Sequence, residues 1–526
     1  MCMTRCSSRA IDSMPQSSAD LIQEIIALAP DGRAGLDAAT TEALKVLTRR
    51  LLAARAAEGG LDEDPLELAM TRNVELHRDA AAARLAGRRI LVTGGSGSVG
   101  TRLRQLLQGF GPAALFNLDI APHHGEGTGI TADIRDMAAL DAAFREARPD
   151  VVFHLAAIRE PGRAEAVVRE AVETNVFGSG NVIEACQRHG VRVAVYSSTG
   201  KCFAYVTDHV YTATKKLAEA QWMRAARHAA AGRAGGAEAT HFAVTRFTHV
   251  LENGIIAADI QAGIEAGMIG LHGPDRHFNV QNLRQATHLL VNAAALAGEG
   301  PVDGFWSAVD LGWPVNTLDL ALFQIRRSGR DVGLRFLGVP KGYDESFYRG
   351  QFDWSGLYEY HPLVNALEAP QGFTDRSGTM VGARVGAVPD AVLTQELRHL
   401  RQVVDGAEGA PGTVKQALLA AVTAVTGAVF ATTPPERLLD VLWWGAAPAW
   451  AGPGASTAAR YRSLVALLVD ALLPHVEEKR FHACPAQMGR LREVAQTLPL
   501  IEGLQGRAAQ LQALLSARHM MDAAHD

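Results

Sequence analysis

Tyr211 and Lys215 stand four residues apart in the run Tyr-Thr-Ala-Thr-Lys. On a helix that spacing puts phenol and ammonium on one face, so both can point into a single pocket. A neighbouring cation favours the phenolate and lowers the tyrosine toward working pH. The phenolate can then take or return a substrate hydroxyl proton while hydride moves to or from a nicotinamide. Such a pair also arises by chance on surface helices, so its surroundings decide. Here it follows Ser197-Ser198-Thr199, and one of those hydroxyls can bond the same substrate oxygen.

A cofactor site stands earlier in the chain. Residues 89–100 read RILVTGGSGSVG. Ile90, Leu91 and Val92 form a short apolar β-type run, and Val99, Leu103 and Leu106 then recur at helical spacing. Strand, glycine turn and helix N-terminus together make a pyrophosphate site. In this reading Gly94 permits the tight turn, Gly97 admits the phosphates with Ser98 and Val99 beside them, and Gly100 allows close helix packing. Asp119, about 20 residues on as the motif requires, is positioned to accept hydrogen bonds from the adenosine ribose. Ile120-Ala121-Pro122 offer no arginine for a 2′-phosphate, which favours NAD over NADP. Asp133 and Ile134, after the next strand but one, are placed to meet the adenine.

The elements that must position these groups follow from the pattern. Residues 18–88 read as helical, and residues 1–17 read as disordered. From Arg89 strands and helices alternate, the signature of an α/β Rossmann-type doubly wound parallel sheet. Strands are expected at 90–92, 114–118, before Asp133, 151–155, 191–196 and 241–246, with one long helix over 165–188 and another over 208–228. The chain divides as a helical extension (1–88), an NAD-binding domain (89–250), a smaller substrate-binding region (251–389) and a helical C-terminal domain (390–526). The uncharged stretch 416–435 is rich in Ala, Thr, Val and Gly, weaker than a membrane span, and is expected to be a buried helix. Trp443, Trp444 and Trp450 are expected to pack between helices.

Composition narrows the function classes. Hydrophobic residues make up 48% and charged ones 20%, with a net charge of −5 and no basic block, which speaks against a nucleic-acid partner. Five scattered cysteines show neither metal spacing nor a secreted disulfide framework, so no metal and a cytoplasmic setting are expected.

The motifs TGGSGSVG, FHLAA, ETNVFGSGNVIEA, SSTGK and YTATKKLAE together resemble the extended short-chain dehydrogenase/reductase superfamily. VTRFTHVLENG, DRHFNV and VDLGWPVNTLDLA narrow the resemblance to its capsular polysaccharide biosynthesis branch, which includes nucleotide-sugar 4,6-dehydratases and epimerases. The resemblance implies a NAD cofactor lined by Leu155, Ala156, Ala157 and Asn175, with Lys215 on the ribose and Thr199 as the catalytic hydroxyl. It further implies that Lys201 abstracts the sugar C5 proton, and that Arg246, His249 and Arg276 contact the substrate. The branch carries an acid before that lysine, and this chain has Gly200 there. Elimination of the C6 hydroxyl then lacks its proton donor, unless Cys202, His209 or a water replaces it, so exchange at C5 is expected to outrun dehydration.

Three functions follow in order of support. The first is an enzyme that modifies a nucleotide-sugar substrate through a transient 4-keto intermediate. The second is a NAD-dependent dehydrogenase or ketoreductase with net redox on a sugar or secondary metabolite. The third is a dinucleotide-binding scaffold, against which the intact Tyr-Lys pair argues. The helical termini are expected to cap the fold or to join copies in a homo-oligomer.

Overall fold

The structure is a computed structural model that describes residues 16–522 except 34, 237, 254, 407–409, 479 and 482–483. Most of the stretch expected to be disordered, with Cys2 and Cys6, lies outside the described residues, as does Gly254. The chain groups into two compact units. One comprises residues up to Arg72 with His249–Leu283 and Asp310–Pro340; the other comprises Asn73–Thr248, Arg284–Val309 and Lys341–Asp526.

The larger unit is built on a nine-stranded sheet. Its strands are β1 (Arg89–Thr93), β2 (Ala114–Asp119), β3 (Thr128–Thr131), β4 (Val151–His154), β5 (Val193–Thr199), β6 (His241–Phe247), β7 (Gly304–Ala308), β8 (Gly372–Thr374) and β9 (Met380–Arg384). They lie in the order β8-β9-β7-β6-β5-β4-β1-β2-β3. All pairs from β3 to β7 are parallel, and β9 joins β7 and β8 antiparallel. The six expected strands are all present. Three more come from 304–384, a stretch the sequence pattern leaves irregular. Strand order reverses between β1 and β4, which opens a crevice at their carboxyl ends.

Burial on both faces explains why the central strands read as continuous apolar runs. Ile90, Leu91, Val92, Val152 and Phe153 are each fully buried. The helix α1 (Ser98–Gln108) follows β1, and α2 (Val210–Ala234) follows β5. Trp222 of α2 stacks on Tyr196 of β5 at 5.1 Å and on His154 of β4 at 5.7 Å, which fixes the helix against the sheet. His154 is neutral, pushed down to about 3 by burial and then by Lys215. Its ring links the Thr93 hydroxyl at 2.7 Å to the Ser179 hydroxyl at 2.9 Å.

The long helix expected over 165–188 is broken. Short helices at Pro161–Ala166 and Val168–Val172 lead into a π-turn at Glu173–Gly178, and a regular helix resumes at Ser179–Arg188. The cause is Asn175, whose amide oxygen accepts from Ile158 N–H and whose amide nitrogen donates to Ile158 C=O and Thr214 Oγ1. Turning that side chain inward requires the wider turn, and π-bulges commonly occur where a helix serves a site.

Helices from Asp390 onward pack into two further cores. The helix α3 (Pro411–Phe430) is long and apolar enough to cross a membrane by length and composition. Here Val414, Leu418, Ala421 and Val422 bury its face in a core shared with Val210, Ala213 and Leu217 of α2. Trp444 is buried in the C-terminal core, as expected, whereas Trp450 is partly exposed.

In the smaller unit, the helices Ser18–Leu28 and Ala38–Ala57 start on Ser17 and Asp37 as side-chain caps. Their Leu21, Ile25, Leu44 and Leu51 pack with Ile269 and Leu334 of the parallel pair Met268–Leu271 and Gly333–Phe336. The contact grouping thus cuts across the four linear segments drawn from the sequence.

Asn175→Ala is expected to destabilise the protein, since it orphans both the N–H and the C=O of Ile158. Each buried group left unpaired costs about 1–3 kcal/mol, and denaturant unfolding measures the loss.

Candidate active site

The glycine loop closes against the crossing of β1 and β4. Gly94 has φ +71°, and a Cβ there would lie 2.5 Å from Ala156 N. A Cβ on Gly100 would lie 2.5 Å from Gly95 Cα, so α1 packs directly on the loop. Gly97 is different, because a Cβ there meets no protein atom closer than 3.6 Å. It is the N-cap of α1, and no side chain caps that helix. Ser98 and Val99 open the first turn, so unclaimed backbone N–H groups and open space meet at one point, which fits a pyrophosphate.

Asp119 closes β2. One carboxylate oxygen accepts from Ser96 N–H at 3.0 Å and the other from Ala121 N–H at 3.0 Å. Each oxygen keeps a lone pair for a further donor, which fits ribose hydroxyls. Leu155 and Ala156 are pinned by β1, through Thr93 O and Thr93 Oγ1, and Ala157 follows half-buried. Asp133 lines a cleft of about 370 Å³ with Arg135, Asp136, Glu173, Phe177 and Arg401. Its carboxylate is held by Arg135 at 2.6 Å, which keeps it below the usual carboxylate range, while Ile134 is buried.

The catalytic candidates converge where β5 ends and α2 begins. Thr199 closes β5, Lys201 lies on the 3₁₀ turn Gly200–Phe203, and Tyr211 and Lys215 lie on the first turns of α2. The tyrosine expected to be acidified is instead pushed up to about 12, because burial outweighs the lowering influence of the Thr199 hydroxyl. Lys215 does not offset it. Its Nζ donates to Ser197 O at 2.7 Å and lies 4.4 Å from the Tyr196 ring centre, and burial pushes it down to about 8. The i, i+4 geometry is present, but the ammonium is directed at β5.

Lys201 has a partner that no local pattern announces. Its Nζ lies 3.0 Å from Glu345 Oε2. Glu345 also accepts from Thr207 Oγ1 at 2.6 Å and from Thr212 Oγ1 at 2.8 Å. A carboxylate therefore stands at the lysine although residue 200 is glycine. The replacements considered from sequence are otherwise engaged. Cys202 is buried, pushed up to about 12, and contacts Ser198 Oγ at 3.3 Å. His209 lies between Asp208 at 2.7 Å and Asp344 at 2.6 Å.

Arg246 is a correction. The resemblance places it on the substrate diphosphate, yet it is 1% exposed and all five of its N–H donors are taken by Glu219, Glu368 and Leu363 O. Burial alone would push the guanidinium down, and the two carboxylates carry it up instead. A phosphate finds no donor there. His249 and Arg276 belong to the smaller unit. The His249 ring meets Phe278 edge-on at 5.3 Å, and the Arg276 carbonyl accepts from Thr317 N–H.

Residues 90–343 match a family described as polysaccharide biosynthesis protein. The chain is 28% identical over 322 residues to the capsular polysaccharide biosynthesis protein CapD of Staphylococcus aureus, covering 57% of this chain and 50% of that protein. It is 33% identical over 225 residues to an uncharacterized membrane protein, MJ1061, of Methanocaldococcus jannaschii, covering 40% and 65%. It is 31% identical over 182 residues to an inverting UDP-N-acetylglucosamine 4,6-dehydratase of Campylobacter jejuni, covering 31% and 50%. The chain spans about half the length of the curated relatives it matches.

Arg246→Met tests the corrected role. It leaves two buried carboxylates uncompensated, and breaking such a pair costs about 3–5 kcal/mol. The expected result is a large loss in unfolding free energy; a variant of unchanged stability would return Arg246 to the list of ligand-binding residues.

Proposed function

We propose that this chain is a NAD-dependent enzyme that modifies a nucleotide-activated sugar through a transient 4-keto intermediate, a reading supported by the match of residues 90–343 to the polysaccharide biosynthesis protein family. The observation that carries the reading is a convergence at one end of one sheet. The uncapped glycine loop and the group Thr199, Lys201, Tyr211 and Lys215 all stand at the carboxyl ends of parallel strands. The dehydratase and capsular-polysaccharide relatives support the substrate class.

When bound, NAD supplies the reversible oxidation of a secondary alcohol to a ketone. The chain's own residues do the rest. The N–H groups at the start of α1 hold the pyrophosphate, and Asp119 accepts from the ribose hydroxyls. Asn175 keeps the loop after β4 against α2 through Ile158 and Thr214. Tyr211 exchanges the proton of the sugar C4 oxygen, with the Thr199 hydroxyl bonding the same atom. Lys215 ties α2 to β5 through Ser197 O and so fixes the turn that carries Tyr211. Lys201 takes the C5 proton, which is acidified once C4 is a carbonyl.

Two measurements test it. Asp119→Ala is expected to weaken NAD binding and to narrow its preference over NADP by titration calorimetry. An unchanged NAD dissociation constant would remove Asp119 from the site. In deuterated water with a panel of UDP- and dTDP-hexoses, the enzyme is expected to place deuterium at sugar C5 with no net consumption of NAD. Tyr211→Phe should bind NAD normally and lose about 10²–10⁴ in that rate, the usual contribution of a general acid–base group. Stoichiometric reduction of NAD would favour a net dehydrogenase instead.

A further inference from the structure

Position 200 has no room for a side chain. A Cβ on Gly200 would lie 2.3 Å from Leu363 Cδ2, and Leu363 is itself 5% exposed, so it has little freedom to withdraw. An acid next to Lys201 in sequence is therefore excluded by packing. The site does contain a carboxylate at Lys201, delivered from a distant part of the chain.

The Glu345 side chain is 6% exposed, whereas that of Lys201 is 30% exposed. Both hydroxyls that hold the carboxylate flank the catalytic helix. Thr207 lies just before it, and Thr212 is the residue after Tyr211. The bond from Thr212, the residue next to Tyr211, sets the carboxylate beside the turn of α2 that carries the phenol. A nearly buried carboxylate beside one half-exposed ammonium and one phenol is well placed to move protons.

On the nucleotide-sugar reading above, we propose that Glu345 is the acid of the site, exchanging a proton with Lys201 and delivering it to the C6 oxygen of the 4-keto sugar. The step balances within the pair. In the tautomer with a neutral amine and a protonated carboxyl, Lys201 takes the C5 proton. The C5–H electron pair forms the C5=C6 double bond, the C6–O bond breaks, and the Glu345 proton leaves with that oxygen as water. Lys201 ends as ammonium and Glu345 as carboxylate, the ion pair seen at 3.0 Å. Transfer of one proton across that contact restores the starting tautomer. With Glu345 in this role, 4,6-dehydration outruns simple exchange at C5, the reverse of the expectation drawn from Gly200 alone. Hydroxide is a poor leaving group, so the proton decides between the two outcomes.

Several charges stand near the pair. His209 Nδ1 lies 3.9 Å from Glu345, Asp208 and Asp344 bracket that imidazole, and Lys341 bridges the two aspartates.

The test uses the full-length protein with NAD, in deuterated water, against the panel of UDP- and dTDP-hexoses. The wild type is expected to release a 4-keto-6-deoxy sugar carrying deuterium at C5, the hydride that reduces C6 being the one the nicotinamide would have taken from C4. Glu345→Gln is expected to lose that product by about 10²–10⁴ while C5 exchange persists, since only the acid is removed. Glu345→Asp should recover part of the product. A Glu345→Gln variant that dehydrates at the wild-type rate overturns the proposal, and so does one that loses exchange and product together. A wild type that exchanges no hexose overturns the nucleotide-sugar reading itself. Lys201 labelling by acetic anhydride, read by mass spectrometry across pH, needs no substrate. Removing the ion-pair partner by Glu345→Gln should raise Lys201 labelling relative to Lys45, and unchanged labelling dissolves the pair.

Discussion

The buried contact of Arg246 with Glu219 and Glu368 is the constraint on which the catalytic geometry rests. Arg246 belongs to β6, Glu219 to α2, and Glu368 to the segment that precedes β8. Glu219 also accepts from Ser198 of β5 at 2.6 Å. One guanidinium thus ties two strands, the helix bearing Tyr211 and Lys215, and the segment that carries Leu363. The Arg246 guanidinium carbon also lies 3.8 Å from the centre of the Phe305 ring, a cation–π contact beside the ion pairs. Charges buried this deeply are tolerated because each is paired and hydrogen-bonded.

Packing at the other end of α2 comes from the C-terminal helices. Glu165 accepts from Val210 N–H at 2.8 Å and from Lys415 of α3 at 2.5 Å, so the start of the catalytic helix is tied to α3 through one carboxylate. Tyr205, in the loop between Lys201 and Tyr211, packs edge-on to Phe430, and its carbonyl accepts from Thr426. Its own hydroxyl accepts from Leu367 N–H. The loop that joins the lysine to the tyrosine is therefore shaped by residues far beyond the sheet.

Features carried by short-range pattern were legible in the sequence. The strand, glycine turn and helix of 89–108, Asp119 at the end of β2, and the Tyr-Lys spacing on α2 all depend on residues near one another in the chain. Interactions between distant segments were not legible. Arg246 looks like a phosphate ligand until Glu219 and Glu368 are seen to surround it. Glu345 sits in an unremarkable Lys-Gly-Tyr-Asp-Glu run, and only the fold brings it to Lys201. The π-turn at Asn175 looks helical because its residues have ordinary helical character; the bond to Ile158 that widens it is tertiary. The tyrosine's charge state reversed for a similar reason, since the burial that opposes ionisation is a property of the packed site.

The interleaving of the smaller unit bears on how the chain assembles. The helices at Ser18–Leu28 and Ala38–Ala57 are made well before the strands they pack on, Met268–Leu271 and Gly333–Phe336. Leu21, Ile25, Leu44 and Leu51 must wait uncovered while the first six strands of the sheet are produced. Contacts of such long sequence separation are slow to form and leave apolar surface open to wrong partners. The sheet with its catalytic helix can gather around local pairings, whereas the smaller unit closes only after its last segment arrives. A ribosome-bound nascent chain would accordingly offer chaperones their target on these two helices.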